Sequence, residues 1–268
     1  MSAISDLFST LGREKRKALM PFVTAGDPDL EFTAAVVKEL VSRGAHLFEI
    51  GVPYSDPIAD GPVIQASYTR ALDKKIKLAD ILKTLGELAP KVAAPLVTMV
   101  SYTIVYRHGI ERYVDAACER GIAGLIVPDL PIDESAGLAK ICAARKLSLI
   151  QLVTPTTPRE RAVHIAETST GFLYYVSVAG ITGERRTIPA ELVDNVAWLR
   201  TQTDLPICIG FGISTPEHVK LLAPVADGLI VGSAIVRRIA KAAEEPREKV
   251  LRDVSDYVAT LLDALESS

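Results

Sequence analysis

Short, almost unbroken runs of aliphatic residues recur along this chain. They lie at Leu19–Thr24, Leu47–Val52, Leu96–Ser101, Gly124–Pro128, Ser148–Thr154, Phe172–Ser177, Ile207–Phe211 and Gly228–Gly232. They do not alternate apolar with polar positions. That pattern predicts strands covered on both faces, which are parallel strands. Between them apolar residues recur with helical spacing. Leu30–Arg43 places Ala34, Val37, Leu40 and Val41 on one side and stops at Gly44, with Asp27 as its expected cap and Pro28 in its first turn. Helices are also expected at Ile110–Arg120, Glu134–Arg145, Arg159–Thr168, Ala190–Thr201, Pro216–Leu222 and Glu248–Leu265. Residues 4–17 form an amphipathic segment that ends in Arg13, Lys15, Arg16 and Lys17, cations that suit a helix C-terminus.

Eight strands alternating with helices over about 250 residues predict a (β/α)8 barrel, a TIM barrel of the α/β class, folded as one domain over residues 1–268. A doubly wound sheet is the alternative, but no Gly-x-Gly-x-x-Gly follows the first strand. Besides the N-terminal helix, extra helices are expected near Pro62–Leu72 and Leu78–Leu88, after strand two, and at Ile235–Ile239, after strand eight.

Composition narrows the function. The 268 residues are 49% hydrophobic and 24% charged, with a net charge of −3, so no basic field invites nucleic acid. No apolar run reaches the ~20 residues of a membrane helix, and no signal peptide is expected. Cys118, Cys142 and Cys208 are far apart and odd in number, which suggests free thiols in a reducing, cytoplasmic setting. His46, His108, His164 and His218 show no ligand spacing, so no metal site is expected. No Lys sits in the C-terminal half of a predicted strand, which leaves a Schiff-base mechanism without a nucleophile.

The candidate chemistry sits where barrel enzymes place it, at the C-terminal ends of the strands. Glu49 is a carboxylate inside the second apolar run, and Asp60 follows in a loop stiffened by prolines. A buried carboxyl holds its proton towards neutrality, whereas one in a polar loop stays ionised, so the two can divide acid and base work. The structural alternatives are an internal ion pair for Glu49, a helix cap for Asp60 and a plain turn for Asp56. A second constellation joins Gly210-Phe211-Gly212-Ile213 after strand seven to Gly232-Ser233 after strand eight. Glycines and a helix N-terminus there suit a phosphate; tight turns, one capped by Thr215, are the other reading. The loop 179–187, with Gly180, Thr182 and Gly183, suits a mobile lid or a plain connection. Phe22 and Tyr174 offer ring faces to a flat substrate, or simply fill the core.

The run Phe48–Gln65, FEIGVPYSDPIADGPVIQ, resembles the signature of the tryptophan synthase α-subunit family, and Thr24–Pro28, Gly180–Gly183 and Gly210–Ile213 follow in that family's order. The resemblance implies a lyase that cleaves indole-3-glycerol phosphate to indole and glyceraldehyde 3-phosphate in tryptophan biosynthesis. It implies Glu49 as the acid/base and Asp60 as the stabiliser of the indole nitrogen. Phe22 and Tyr174 would lie near the ring, Thr182 in the lid, and Gly183, Phe211, Gly212, Gly232 and Ser233 around the substrate phosphate. It implies no cofactor in this chain and a pyridoxal-phosphate β subunit as partner in an α2β2 heterotetramer, with Pro53, Asp56 and Ile104 facing it. Thr103-Ile104 departs from the small residue and Asn that often follow Tyr102 in the family, which bears on partner coupling. A phosphate-binding isomerase or epimerase using Glu49 as base, a non-catalytic activating subunit and a free-standing lyase are the competing readings.

Overall fold

The computed structural model describes residues 2–57, 60–176, 190–210 and 212–268. Nine strand segments form one all-parallel sheet: β1 Ala18–Thr24, β2 Phe48–Gly51, β3 Leu96–Met99, β4 Ile122–Ile126, β5 Ser148–Ile150, β6 Leu152–Val153, β7 Leu173–Val176, β8 Ile207–Gly210 and β9 Gly228–Val231. The spatial order is β5-β4-β3-β2-β1-β9-β8-β7-β6. Its two ends, β5 and β6, are consecutive in the chain and separated only by Gln151, so the ring closes through the backbone at that residue. The expected fifth strand is therefore two pieces. Gln151 keeps the ladder going by accepting the Tyr174 N–H at its carbonyl (3.1 Å), while its side-chain amide turns away to donate to Thr168 Oγ1 (2.8 Å).

Helices follow the strands: α1 Ala3–Arg13, α2 Leu30–Ser42, α3 Pro62–Asp73, α4 Leu78–Leu88, α5 Tyr102–His108, α6 Ile110–Glu119, α7 Ala136–Ala144, α8 Arg159–Thr168, α9 Ala190–Arg200, α10 Pro216–Leu222, α11 Ser233–Ala240 and α12 Arg247–Glu266. The period of two along each strand sorts side chains into two cores. Outward residues such as Leu19, Val23, Phe48 and Ile50 pack beneath the helices. Inward residues such as Met20, Phe22, Leu47, Val97, Phe172 and Tyr174 fill the barrel. α1 belongs to the inner core, burying Ile4, Phe8 and Leu11, with the Phe8 ring 5.9 Å from that of Phe172. It plugs the end opposite the strand C-termini.

Two local expectations change. α1 stops at Arg13 rather than running to 17: Lys15 takes a left-handed φ of 56°, and Ala18 N–H is claimed by the Asp227 carbonyl as β1 begins (2.9 Å). The cap of α2 is Asp29, whose side chain accepts from Phe32 N–H at 2.8 Å. Asp27 is instead buried and held by both arms of the Arg70 guanidinium, at 2.8 and 2.6 Å. That bidentate pair ties the loop after β1 to α3.

Candidate active site

Glu49 is the second residue of β2, paired in register with Phe22 of β1 on one side and Val97 of β3 on the other. Parity sends its neighbours Phe48 and Ile50 outward, and so sends Glu49 into the barrel. It is 1% exposed. Gly51 follows because nothing larger fits: a Cβ there would stand 2.5 Å from Phe22 Cζ and 2.9 Å from the Tyr68 hydroxyl. The chain then leaves the sheet and returns through Asp60 to α3. Ile64 and Tyr68 of α3 bury against the mouth of the barrel.

At this mouth a small cleft opens, lined by Phe22, Glu49, Asp60, Ile64, Met99, Tyr174, Gly212, Ile213, Ile230, Gly232 and Ser233. Seven positions expected from sequence meet here: Phe22, Glu49, Asp60, Tyr174, Gly212, Gly232 and Ser233. Thr182, Gly183 and Phe211, together with the loop 179–187, lie outside the described residues. Ile64, Met99, Ile213 and Ile230 were not anticipated as lining. For Met99 and Ile230 the signal was parity, since they share the inward face with Val97 and Met20; Ile64 of α3 and Ile213 of the loop after β8 carried none.

The two carboxyl groups differ in state. Glu49 Oε2 has no hydrogen-bond partner among the described residues, and no ion pair forms with Glu49 or Asp60 there. Burial, reinforced by the charge of Asp60, pushes the Glu49 carboxyl up to about 8. Burial also raises Asp60, to about 6, against the opposing pull of the Tyr54 hydroxyl, which donates to Asp60 Oδ2 at 3.5 Å. Near neutral pH the cleft therefore holds a protonated Glu49 and an ionised Asp60. Among the described residues neither structural alternative holds: Glu49 has no cation partner there, and the α3 N-cap is Gly61 with no side-chain cap bond.

The far wall is built from glycines and a helix N-terminus. β9 delivers Gly232 as the N-cap of α11, again with no side-chain cap. Ile235 and Val236 make the first helical bonds back to the Gly232 carbonyl (2.9 and 3.0 Å), so the amides of Ser233 and Ala234 face out of the helix end. Gly212 stands opposite with a left-handed φ of 83°, which a side chain would strain. Thr215 caps α10 through His218 N–H. Among the described residues no group of three His, Cys, Asp or Glu side chains is placed to hold a metal ion, and no helix is long and apolar enough to cross a membrane.

The profile of the tryptophan synthase alpha chain family matches residues 8–265 of this sequence. A tryptophan synthase alpha chain of Rhodopirellula baltica is 55% identical over the full length of both chains, and one of Trichormus variabilis 45% identical, again over both full lengths. The chain belongs to the tryptophan synthase alpha chain family. The solved tryptophan synthase alpha subunit of Legionella pneumophila superposes with a TM-score of 0.91 at 33% identity, covering both chains completely. A chain of a tryptophan synthase complex from Pyrococcus furiosus superposes at 0.84 and 34%, covering 92% of this chain and 99% of that one. Against this family frame, the three partner-facing candidates sit differently. Asp56 is exposed and accepts from Ser55 Oγ (2.6 Å), Ile104 is half-buried on α5, and Pro53 is buried. Beside Ile104, Tyr106 is 67% exposed.

The raised Glu49 carboxyl carries a stability consequence. Its pKa rises from 4.5 unfolded to about 8 folded, so the folded state holds the proton that the unfolded state has lost. The contribution of Glu49 to stability is then fullest below about 4.5 and falls as pH climbs to about 8, by at most about 1.4 kcal/mol per pH unit. Glu49→Gln removes this titration. The variant's melting temperature is expected to gain on the native protein steadily between those pH values. Parallel melting curves across the range would contradict a buried, protonated Glu49.

Proposed function

We propose that Glu49 and Asp60 carry the lyase reaction of this family, the cleavage of indole-3-glycerol phosphate to indole and glyceraldehyde 3-phosphate. The observation that supports it most is the pairing of a buried carboxyl, whose Oε2 has no hydrogen-bond partner among the described residues, with a second carboxylate held ionised across one cleft. Indole C3 must be protonated before its bond to the glycerol chain can break. Protonation puts positive charge on the indole nitrogen. Asp60, accepting from that N–H, stabilises the charge as it develops. Glu49 supplies the proton to C3. The C3–C bond then breaks with its electron pair returning to the ring. The hydroxyl on the departing carbon becomes the aldehyde and gives its proton to the Glu49 carboxylate. Glu49 ends as it began, and the atoms balance with no external reductant or acid.

Phe22 and Tyr174 flank the ring in this reading. Gly212, Gly232 and Ser233 receive the phosphate, together with Gly183 and Phe211, and Thr182 closes over Asp60. Every step is a proton transfer or a C–C cleavage, so the chain's own chemistry asks for no cofactor. Pyridoxal phosphate belongs to a β subunit, which we infer docks at the mouth of the barrel near Asp56 and Ile104 in an α2β2 assembly, in the cytoplasm. The test is indole release from indole-3-glycerol phosphate by the purified chain, with and without β subunit. Stoichiometric indole and glyceraldehyde 3-phosphate are expected in both cases, faster with the partner. No release in either case would refute the reading.

A further inference from the structure

Asp60 reaches the cleft from a loop, and loops alone do not hold a carboxylate to the tolerance that catalysis needs. α3, by contrast, is firmly docked. Ser67 Oγ meets Thr24 Oγ1 at 2.6 Å, both buried. Arg70 grips Asp27 with two bonds, Lys74 donates to the Pro28 carbonyl, and Tyr68 is 1% exposed. The first turn of this anchored helix carries Gln65. Its side-chain amide reaches back over the helix start and donates to two loop carbonyls, that of Pro57 at 3.1 Å and that of Asp60 at 2.7 Å. Both targets are acceptors, so only the NH2 end of the amide fits, and its two hydrogens meet two oxygens. The Pro57 carbonyl also accepts Asp60 N–H at 3.3 Å.

We propose that Gln65 is a positioning residue, the link through which the rigid α3 fixes the backbone of Asp60. It does not line the cleft. It acts by anchoring the carbonyl of the residue whose carboxylate faces the indole nitrogen, and this rests on the role given to Asp60 above. Thr24, Asp27, Ser67, Arg70 and Gln65 then form one chain of contacts from the end of β1 to Asp60. Among the described residues, Gln65 is the link in it that reaches the loop.

The test compares Gln65→Met, which keeps length and loses both donors, with Gln65→Glu, which offers an acceptor to two acceptors. Amide hydrogen exchange is measured without substrate, and steady-state kinetics with it. Both variants are expected to speed exchange in residues 53–61 while the interior of α3 near Tyr68 keeps its native protection. Both should lower kcat roughly tenfold or more with little change in KM, because ground-state binding does not use the anchored carbonyl. Native kcat in both variants would overturn the proposal. So would a fall in kcat with unchanged exchange at 53–61, or exchange that rises equally through α3, which would mark a general loss of helix stability. Absence of lyase activity in the native protein would refute the functional reading instead, and the exchange pattern would still report whether Gln65 holds the loop.

Discussion

Glu49→Gln is expected to lower indole release by about 10³-fold or more while the protein folds normally. General acid–base catalysis supplies about 10²–10⁴ in rate, and in the proposed reaction one carboxyl both delivers the proton to C3 and collects the hydroxyl proton. Glutamine preserves the shape of a side chain that is 1% exposed and loses both transfers. The loss should appear in kcat, with KM little moved, since the ground state does not need the proton. The measurement is steady-state indole release, alongside far-UV circular dichroism to confirm the fold. Turnover near native would remove Glu49 from the chemistry.

The second large effect is at Asp60. Asp60→Asn keeps a hydrogen-bond acceptor near the indole nitrogen and removes the charge. The charge is what the forming iminium requires, and a placed group of this kind is worth about 10²–10³ in kcat. Asp60→Asn is therefore expected to fall by that factor. Asp60→Glu, which keeps the charge on a longer arm, should lose less. Equal losses in the two variants would point to geometry rather than charge. Native activity in Asp60→Asn would contradict its role.

How much of this was legible beforehand depended on the range of the interaction. The aliphatic runs announced a parallel barrel because strands buried on both faces have no polar side to alternate. Glu49 stood out for the same reason, as a carboxylate in such a run. What the sequence did not show was set by partners far along the chain. Asp27 looked like the cap of α2, but Arg70, forty-three residues on, takes it, and Asp29 caps instead. The break at Gln151 was hidden because Ser148–Ile150 and Leu152–Val153 read as one apolar strand. The lining residues Ile64, Met99 and Ile230 looked like core, since a cleft wall and a core use the same side chains. The basic run Lys15-Arg16-Lys17 suggested a continuing helix. The demand of β1 for Ala18 ended it sooner.

The central claim is that one protonated and one ionised carboxyl work together in the cleft. The dependence of kcat/KM on pH in the native protein tests it most directly, because that profile reports the free enzyme's acid and base. The expected profile is a bell, rising as Asp60 ionises near 6 and falling as Glu49 loses its proton near 8. A phosphomonoester substrate also titrates near pH 6, so the same profile is recorded for Asp60→Asn, whose acid limb should keep only the substrate's own contribution. A native profile that stays flat or climbs through pH 8 would show Glu49 acting without its proton, and would contradict the account.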